Sequence, residues 1–495
     1  MEGIFVAFCI FAPYSMTLME NMKKIKLFVW YSFILVLLLN ANHAFAQEFI
    51  DTDLKKINIP LLVISTDDGL DPQGYRIDHP EGCVGIGLTG NDYKTGRMVM
   101  TLLDSVIYDS GEYMAGSSGI RIRLRGNTSA IAWGKKPYKL KLSKKFDFFK
   151  RGDKKYRSKD WVLLSCPKIE LNTVVGFKVN EILGLEWTPE IQYVNIILNG
   201  DYKGLYILSE SIEQGEGRCN VADNGFIVED DAYWWNEDVY FKGNVLPYSM
   251  GYTFKYPDTE EIGAEFLLRI TDYFLEVERR LESSEDISEY IDLNSFAAWL
   301  LGHDILGTED AAGSNRYIYK YDFIQGNITH SKLKMGPIWD FDDIFRREGK
   351  WSQQHGGNYR FYFRYLLGYP EFMDEFVKLW NSVKDTFYDD MMDYLRVFEQ
   401  DYGETLDLCR ELDSKRWKMA RYNLVADDVR NIGEWMSARL EWIDEQLMKE
   451  TSVHVIHGEQ STPCIYTLDG RKVSNSVAEL PTGIYIKNGR KFIVR

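Results

Sequence analysis

Apolar and polar residues alternate along several short segments in the first half of the chain. After the pair Lys136-Pro137, alternation places Tyr138, Leu140 and Leu142 on one face and Lys139 and Lys141 on the other. Asn-Gly pairs, which favour tight hairpin turns, occur at Asn199 and Asn224. The region from Ile59 to Tyr256 is therefore predicted to be mainly strands, with one helix near Thr173 to Leu183, and to be the sheet region for nucleotide binding.

Helical periodicity dominates the second half. Apolar residues recur at intervals of three and four from Glu261 to His303, and again in several segments after Phe361. The last segment, His454 to Arg495, returns to short strand patterns separated by Asp-Gly, Thr-Gly and Asn-Gly turns. The chain is thus predicted to have an α+β fold, with an N-terminal mainly β region, a helical C-terminal lobe and a small β tail.

Oxygen-bearing side chains lie among aromatic strand patterns between these two regions. Asp310 and Asn315 are five positions apart in GTEDAAGSNRYIY, and Asp340 and Asp342 follow in GPIWDFDDIF. Phosphoryl transfer requires a carboxylate that deprotonates the acceptor hydroxyl and oxygen ligands that hold Mg²⁺ against the phosphates. Asp-x-x-x-x-Asn is the spacing of the protein-kinase catalytic loop, and Asp340 and Asp342 point to the same side if their segment is extended. The alternative is that Asp310 and Asn315 cap turns and that the aspartates after Trp339 only end a strand. Either motif alone favours this alternative, but the two motifs together favour a kinase.

Four separated stretches resemble the CotH family of atypical, secreted protein kinases. They are RLRGNTSAIAWGKKPYKLKL from Arg123, WVLL with the later LNTVVGFKVNEILGL and YVNIILNGDYKGLYILSESI, GTEDAAGSNRYIY, and GPIWDFDDIF. Together they cover roughly Pro60 to Lys449, and their order is hard to obtain by chance. The resemblance implies a protein-kinase-like fold that uses ATP with Mg²⁺ or Mn²⁺.

By this resemblance, Asp310 is expected to be the catalytic residue. Asp340, assisted by Asn315, is expected to bind the divalent metal, and Asp342 is a further candidate ligand. The sequence departs from the family pattern at Thr308-Glu309, where Asn-Trp is more usual, and in an enlarged hairpin between Ile324 and Lys332. Neither change removes a chemical group that the expected site needs.

The resemblance also implies phosphate-binding side chains. The phosphate lysine is expected to be Lys141 or, as second choice, Lys139, and a solvated basic strand face is the alternative for both. Arg125 is a candidate to neutralise phosphate or to pair with a structural carboxylate. Glu210 is a candidate partner of the lysine, or part of a salt-bridged sheet edge.

A Gly-x-Gly-x-x-Gly pattern occurs at Gly85, Gly87 and Gly90. Such a pattern binds phosphates when it opens a helix, but no helical periodicity follows it here. A strand and a turn are therefore predicted. His303, at the end of an apolar helical run, is expected to be a core or cap residue rather than a ligand.

Composition excludes several classes. A net charge of -16, from 58 Lys and Arg against 74 Asp and Glu in 495 residues, argues against nonspecific nucleic-acid binding. Of the six cysteines, Cys9 lies in the N-terminal segment that is described below as a secretory signal. The wide spacing of the other five excludes a zinc ribbon or finger. Their odd number excludes complete internal pairing.

The N-terminal segment carries the features of a secretory signal. A basic stretch after Met22 is followed by an apolar run from Leu27 to Leu39 and by Ala44-Phe45-Ala46, which predicts cleavage after Ala46. Met22 is the predicted start, and an uncleaved membrane anchor is the alternative. Residues 47–453 would form the CotH-like domain, and residues 454–495 a module. That module resembles the C-terminal β modules that some Bacteroidetes place on secreted proteins for export and surface attachment. The alternative is a small β appendage that only covers the edge of a sheet.

Taken together, these features predict a secreted, metal-dependent kinase that transfers the γ-phosphate of ATP to Ser or Thr of exported or surface proteins. Nucleotidyl or other group transfer on the same fold is one alternative, and a noncatalytic surface adhesin or scaffold is another. The expected location is the periplasm, the cell surface or the extracellular space. Neither a nucleic-acid partner nor a membrane span in the cleaved protein is expected, and the oligomeric state is left open.

Overall fold

A computed structural model describes residues 54–103, 105–165, 171–246, 249–308, 311, 315–327, 330–352, 361–418 and 422–458, and in the tail residues 465–467, 472–474, 480–481, 483–487 and 490–494. The predicted signal region, residues 1–46, and the predicted catalytic residue Asp310 lie outside the described residues. None of the described helices combines the length and the apolar character that a membrane crossing requires.

The first half of the chain is rich in strands. In chain order they are β1 (Leu61–Thr66), β2 (Tyr75–Asp78), β3 (Ile86–Thr89), β4 (Lys94–Leu102), β5 (Ser105–Asp109), β6 (Ile120–Leu124), β7 (Tyr138–Phe146), β8 (Ser158–Leu164), β9 (Ile191–Leu198) and β10 (Asp201–Glu210). Two helices interrupt them, α1 (Thr128–Ala132) and α2 (Asn172–Ile182). The second of these confirms the helix predicted near Thr173 to Leu183.

All of these strands except the β2–β3 hairpin form an eight-stranded sheet in the order β1-β9-β10-β8-β7-β6-β4-β5. Because β1 pairs with β4 as well as with β9, the sheet closes on itself, and β5 extends one end of β4. Alternate residues point into the closed sheet and form an apolar core that includes Ile122, Leu140 and Trp161. The predicted alternation of β7 is confirmed, since Leu140 is buried inside and Lys139 lies on the outer face.

A second, five-stranded sheet has the order β12-β13-β11-β14-β15. Its strands are β11 (Phe226–Asp231), β12 (Tyr240–Phe241), β13 (Gly251–Tyr256), β14 (Arg316–Lys320) and β15 (Leu333–Met335). The strand-rich region predicted up to Tyr256 is therefore divided between two sheets, because β11 pairs with β14, which follows two helices in the chain. Alternation along a strand reveals its two faces but not its partner.

Helices make up most of the second half. They are α3 (Ala264–Ser283), α4 (Leu293–Leu306), α5 (Phe363–Leu366), α6 (Pro370–Val383), α7 (Phe387–Trp417) and α8 (Val425–Gly458). Helix α4 is buried on all sides, as its almost uninterrupted apolar sequence requires. Asp292 caps its start by accepting a hydrogen bond from the Ser295 amide, and Gly307 ends it in the left-handed conformation. The chain thus has an α+β fold, with a strand-rich N-terminal region and a helical C-terminal region.

The tail strands form a separate antiparallel sheet in the order β17-β16-β18-β19. They are β16 (Ile465–Thr467), β17 (Lys472–Ser474), β18 (Gly483–Lys487) and β19 (Arg490–Val494). Helix α8 continues to Gly458, beyond the boundary predicted between residues 453 and 454. The β character of the tail agrees with its sequence pattern.

A buried ion pair joins the closed sheet to helix α7. Lys135 Nζ lies 2.8 Å from Asp413 Oδ1, and both side chains are almost fully buried. The same oxygen accepts the Leu205 amide at 2.8 Å, while Lys135 donates to the Leu205 carbonyl at 2.6 Å. Gly204 has φ +104°, and a Cβ at this position would lie 1.8 Å from Asp413 Oδ1. Only glycine therefore allows this close contact.

Three of the cysteines lie in the described part, and all three are buried and free: Cys83, Cys219 and Cys409. Burial raises the pKa of the Cys409 thiol to about 12, so it stays protonated at neutral pH. Cys166 and Cys464 lie outside the described residues. None of the three described thiols forms a disulfide.

Candidate functional site

Asn315 lies immediately before β14, at the end of the second sheet. The next residue, Arg316, is buried and forms an ion pair with the buried Asp230 of β11. Its guanidinium also lies 4.3 Å from the centroid of the Phe361 ring. Because β14 is paired along its whole length with β11, the position of Asn315 is fixed by its neighbours rather than by a free loop.

Asp340 follows β15 after the short segment Gly336 to Trp339. Its φ is +66°, so the chain turns there and is not extended. The Asp342 amide donates a long hydrogen bond, 3.4 Å, to Asp340 Oδ1 within this turn. The expectation that Asp340 and Asp342 project together from an extended segment was therefore wrong. Aspartate tolerates the left-handed conformation better than most residues because its short side chain bonds to the local backbone.

The structure brings Asp340, Asn315 and Arg125 together. The Asn315 side chain donates a hydrogen bond to Asp340, and the positive charge of Arg125 acts on the same carboxylate. Desolvation is the largest influence and raises the pKa of Asp340, whereas the Asp342 amide, Arg125 and Asn315 oppose that rise. Asp340 nevertheless retains solvent-exposed surface. We refer to the surroundings of Asp340, Asn315 and Arg125 as the candidate cleft.

Arg125 reaches this cleft from the end of β6. Its amide donates to the Pro137 carbonyl at 3.0 Å, which ties the segment after β6 to the start of β7. Its guanidinium lies 5.3 Å from the centroid of the Trp339 ring, next to Asp340 in sequence. Arg125 thus links the closed sheet to the segment that carries Asp340. Asp342 is placed beside them by its backbone, while Asp310 lies outside the described residues.

The two predicted phosphate lysines occupy the outer face of β7, farther along the closed sheet. Lys139 and Lys141 lie 3.3 Å and 3.9 Å from the two carboxylate oxygens of Asp160. In the register of β6 and β7, Arg123 of β6 is opposite Lys139 of β7, and Arg121 is opposite Lys141. This outer face is therefore strongly basic, and it continues in the direction of Arg125.

The ring of Tyr93 covers part of that basic face. The guanidinium of Arg123 lies 4.6 Å and that of Arg121 5.1 Å from its centroid. Both contacts are within cation–π range. Burial raises the pKa of the Tyr93 hydroxyl, so the ring faces the guanidinium groups as a neutral phenol.

Glu210 forms ion pairs with arginines and not with Lys139 or Lys141. Its carboxylate lies 2.6 Å from Arg151 and 3.7 Å from Arg218, and it accepts the Glu190 amide at 3.0 Å. In the strand register Glu210 is opposite Trp161, whose side chain points into the closed sheet. Lys139 is opposite Val162, on the other face. The structure therefore does not bring Glu210 to the basic face, where Asp160 occupies the position predicted for it.

The second sheet carries a lysine–glutamate pair that the sequence patterns did not indicate. Lys255 Nζ of β13 lies 2.5 Å from Glu229 Oε2 of β11. The Tyr317 hydroxyl donates to Glu229, and the charge of Arg125 acts on Tyr317. Burial raises the pKa of Glu229 to about 7, although Lys255 and Tyr317 oppose the rise. Because each residue belongs to an ordinary strand pattern, only the strand pairing reveals the pair.

Glu237 follows β11 in the chain and is influenced by charges on both sheets. It has an exposed side chain, yet desolvation is the main cause that raises its pKa, so it resembles Asp340 in being accessible and surrounded by protein. The charges of Lys255 and Arg123 both act on it and lower that pKa. Glu237 is therefore influenced by a lysine of the second sheet and by an arginine of the closed sheet.

The glycine-rich segment has a packing role. A Cβ on Gly85 would lie 2.5 Å from the Tyr233 ring, and one on Gly87 would lie 2.6 Å from the Trp235 ring. Trp235 Nε1 also donates to the Val84 carbonyl at 3.1 Å. The strand and turn predicted for this segment are confirmed, and its glycines make room for aromatic rings of the residues that follow β11.

The oxygen ligands in the cleft fit a small divalent cation. Asp340 offers a carboxylate and Asn315 an amide oxygen, and Mg²⁺ is commonly bound by one or two carboxylates together with phosphates and water. Among the described residues, no group of three or more His, Cys, Asp or Glu could hold a metal by itself.

His303 is buried near the end of α4. Its Nδ1 lies 3.0 Å from Thr308 Oγ1, and burial lowers its pKa to about 3. The imidazole is therefore neutral at physiological pH, and the prediction of a core residue is confirmed. Its contact with Thr308 fixes the backbone two residues before Asp310.

Comparison with protein families identifies the class. Residues 122–443 match the family described as CotH kinase protein. The match covers more than half of the chain, so the chain belongs to the CotH kinase family. It includes Arg125, Asn315 and Asp340, whereas Tyr93 and Arg121 of the basic face precede it. A search of curated proteins gave no significant match.

Proposed function

We propose that this protein is a metal-dependent kinase that transfers the γ-phosphate of ATP to a Ser or Thr hydroxyl of exported or surface proteins. Membership of the CotH kinase family supports kinase-like phosphoryl transfer. The observation that carries the proposal is the proximity of Asp340, Asn315 and Arg125, with Arg125 following the strand β6 that contributes to the basic sheet face.

Each group has a role in this reaction. Asp310 accepts the proton of the acceptor hydroxyl, whose oxygen forms a bond to the γ-phosphorus while the bond to the bridging oxygen breaks and ADP leaves. Arg125 neutralises charge on the transferred group through its planar array of donors. Asp340 and Asn315, with Asp342 as a further ligand, hold Mg²⁺ or Mn²⁺, which supplies charge neutralisation at the phosphates.

The basic face beyond Arg125 supports a polyanionic ligand. Lys139 and Lys141 share the single carboxylate of Asp160, and Arg121 and Arg123 lie against Tyr93. In a chain of net charge -16, such an excess of cations on one strand pair is unusual for a merely solvated surface. We assign Lys139 and Lys141 to the outer part of this anion site.

Transfer from ATP labelled in the γ- or the α-phosphate tests the proposal. The purified protein is incubated with Mg²⁺ or Mn²⁺, beside the variants Asp310→Ala and Asp340→Ala and the control Asp393→Ala, whose aspartate is an exposed partner of Arg396. Protein-bound γ-label is expected in the wild type and the control, and about a 10²- to 10³-fold lower rate in both site variants. Transfer of α-label would indicate nucleotidyl transfer. Absence of both labels and of a nucleotide-induced thermal shift would favour a noncatalytic adhesin or scaffold.

A further inference from the structure

The chain that joins β7 to β8 carries an excess of positive charge. Residues 144–159, called the basic segment below, contain eight Lys and Arg against two Asp, whereas the whole chain has a net charge of -16. The structure describes every residue of this segment. Such a local excess on an acidic protein marks a surface that attracts a negatively charged partner.

Most of these cations are exposed and unpaired. Six of them are exposed and form no ion pair with a described residue: Lys144, Lys145, Lys150, Lys154, Arg157 and Lys159. The carboxylates around the segment are used by other cations. Arg151 takes Asp147 and Glu210, while Glu213 lies 2.5 Å from Arg218. The six positive charges therefore remain available to a partner.

The backbone of the basic segment is held in a fixed conformation. The carboxylate of Asp147 accepts the amides of Phe149 at 3.1 Å and Arg151 at 2.7 Å. The Arg151 guanidinium donates to the buried Glu210 at 2.6 Å, which ties the segment to β10. Farther along, Asp153 accepts the Lys155 amide at 3.0 Å. Because the backbone is already ordered, binding a partner here does not cost backbone entropy on the protein side.

The aromatic side chains of the segment are turned inward. The rings of Phe148 and Phe149 lie 4.9 Å and 5.6 Å from the ring of Trp161, and the Arg151 guanidinium covers the Tyr156 ring at 4.1 Å. None of the four aromatic residues between positions 144 and 159 is exposed. Membrane-surface binding draws on exposed apolar side chains, and single-stranded nucleic acids stack on exposed rings. The segment offers neither, so its charges fit an acidic protein segment better.

The basic segment is separated from the candidate cleft by the length of β7. Arg125 is bonded to Pro137, immediately before the start of β7, whereas the segment lies at the other end of that strand. At about 3.3 Å per residue, the two ends of β7 are roughly 25 Å apart. A ligand on the basic segment can therefore be present together with a nucleotide at Arg125.

We propose that the basic segment is a docking surface for an acidic segment of a partner protein. Under the proposed function, on which this part of the inference rests, that partner is the acceptor of the phosphate. Docking at a distance raises the local concentration of the acceptor hydroxyl at the candidate cleft without occupying it. Exposed lysines suit this role because each binds one carboxylate as a point charge.

Fluorescence anisotropy with a labelled peptide tests the docking surface. The probe is a Glu-Gly repeat of about twelve residues, long enough in extended form to span the segment, and the corresponding Gln-Gly repeat is the uncharged control. The test variant is Lys150→Gln/Lys154→Gln/Lys159→Gln. The control variant carries the same change at three exposed lysines of other elements, Lys332→Gln/Lys378→Gln/Lys415→Gln.

The wild type and the control variant are expected to bind the Glu-Gly peptide equally, in the presence or absence of saturating Mg²⁺·ATP. The test variant should bind it at least about 10-fold more weakly, since three ion pairs are lost. Equal affinity in the test variant, no binding by the wild type, or displacement of the peptide by ATP would overturn the inference. Binding of the wild type to phosphatidylglycerol vesicles but not to the peptide would also overturn it, in favour of a lipid surface.

A second measurement uses only the wild type and so does not depend on the folding of a variant. A carbodiimide couples peptide carboxylates to the amines they contact, and mass spectrometry locates the bonds. Cross-links are expected at Lys150 and Lys154, and cross-links only at Lys139 and Lys141 would contradict the docking surface. Transfer of γ-label from ATP is followed in parallel. A wild type that binds the peptide but transfers no phosphate would overturn the proposed function and leave the surface for acidic segments standing.

Discussion

The buried Lys135–Asp413 pair is predicted to hold the closed sheet and helix α7 together. Asp413→Ala removes the carboxylate and leaves the Lys135 ammonium buried with one remaining acceptor, the Leu205 carbonyl. It also leaves the Leu205 amide without its acceptor. Breaking a buried ion pair by removing one partner costs about 3–5 kcal/mol. For a chain of this size we expect a decrease in Tm of at least about 5 °C.

The complementary variant Lys135→Met is expected to be less harmful, and its effect should depend on pH. Burial is the main cause that raises the pKa of Asp413, and Lys135 opposes that rise. Without Lys135 the pKa rises further, so the folded protein takes up a proton more readily than the unfolded chain. The loss of stability in Lys135→Met should therefore become smaller as the pH falls from 7 to 5.

The double variant Lys135→Met/Asp413→Leu completes the cycle. Apolar residues of similar volume often replace a buried ion pair at little cost, although the Leu205 amide still lacks an acceptor, which costs about 1–3 kcal/mol. Thermal and urea unfolding, followed by circular dichroism and tryptophan fluorescence, should show a smaller loss than the sum of the single losses. The reasoning would be refuted if Asp413→Ala were within about 1 kcal/mol of wild type, or if the two single losses were additive.

Three further predictions concern Glu229, the glycine-rich segment and Arg125. Burial raises the pKa of Glu229 to about 7, so the folded state holds a proton that the unfolded state releases above about pH 4.5, and wild-type stability should decrease as the pH rises from 4.5 to 7. Glu229→Gln should flatten this slope in a Tm–pH series, and an unchanged slope would contradict it. Gly87→Ala places a Cβ 2.6 Å from the Trp235 ring. It should accelerate chymotryptic cleavage in the β2–β3 hairpin with less than about 2 °C change in Tm, and equal cleavage rates would exclude the packing role. Arg125→Met should lower kcat/KM for phosphate transfer by about 10²-fold at unchanged Tm. A loss of less than about 3-fold would show that Arg125 does not contribute to the transfer.

Local features of this fold could be predicted because they depend on neighbouring residues. The alternation of β7 determines which side chains enter the closed sheet, and its apolar residues are buried as expected. The turn at Asn199-Gly200 follows from two residues that tolerate positive φ, +52° and +76° in the structure. Asn315, Asp340 and Arg125 were expected together from the family resemblance, and the structure brings them together, while their roles in binding metal and phosphate stay predictions.

Other features depend on contacts between distant parts of the chain. The pairing of β11 with β14 brings Glu229 beside Tyr317, and no local pattern indicates this neighbour. Glu210 is not the partner of the β7 lysines, because it is opposite Trp161 and points into the closed sheet. Adjacent strand residues point to opposite faces, so a shift of one position decides which face a side chain occupies. The left-handed turn at Asp340 was missed because the surrounding aromatic residues resemble a strand.

Calorimetric titration of Mg²⁺·ATP into the wild type and Asp340→Ala tests the central claim most directly, namely that the cleft around Asp340 binds a metal–nucleotide complex. Binding to the wild type that requires Mg²⁺, and a loss of at least about 10-fold in affinity in Asp340→Ala, is the predicted result. Equal binding by both proteins, or binding by the wild type that is independent of Mg²⁺, would contradict the account.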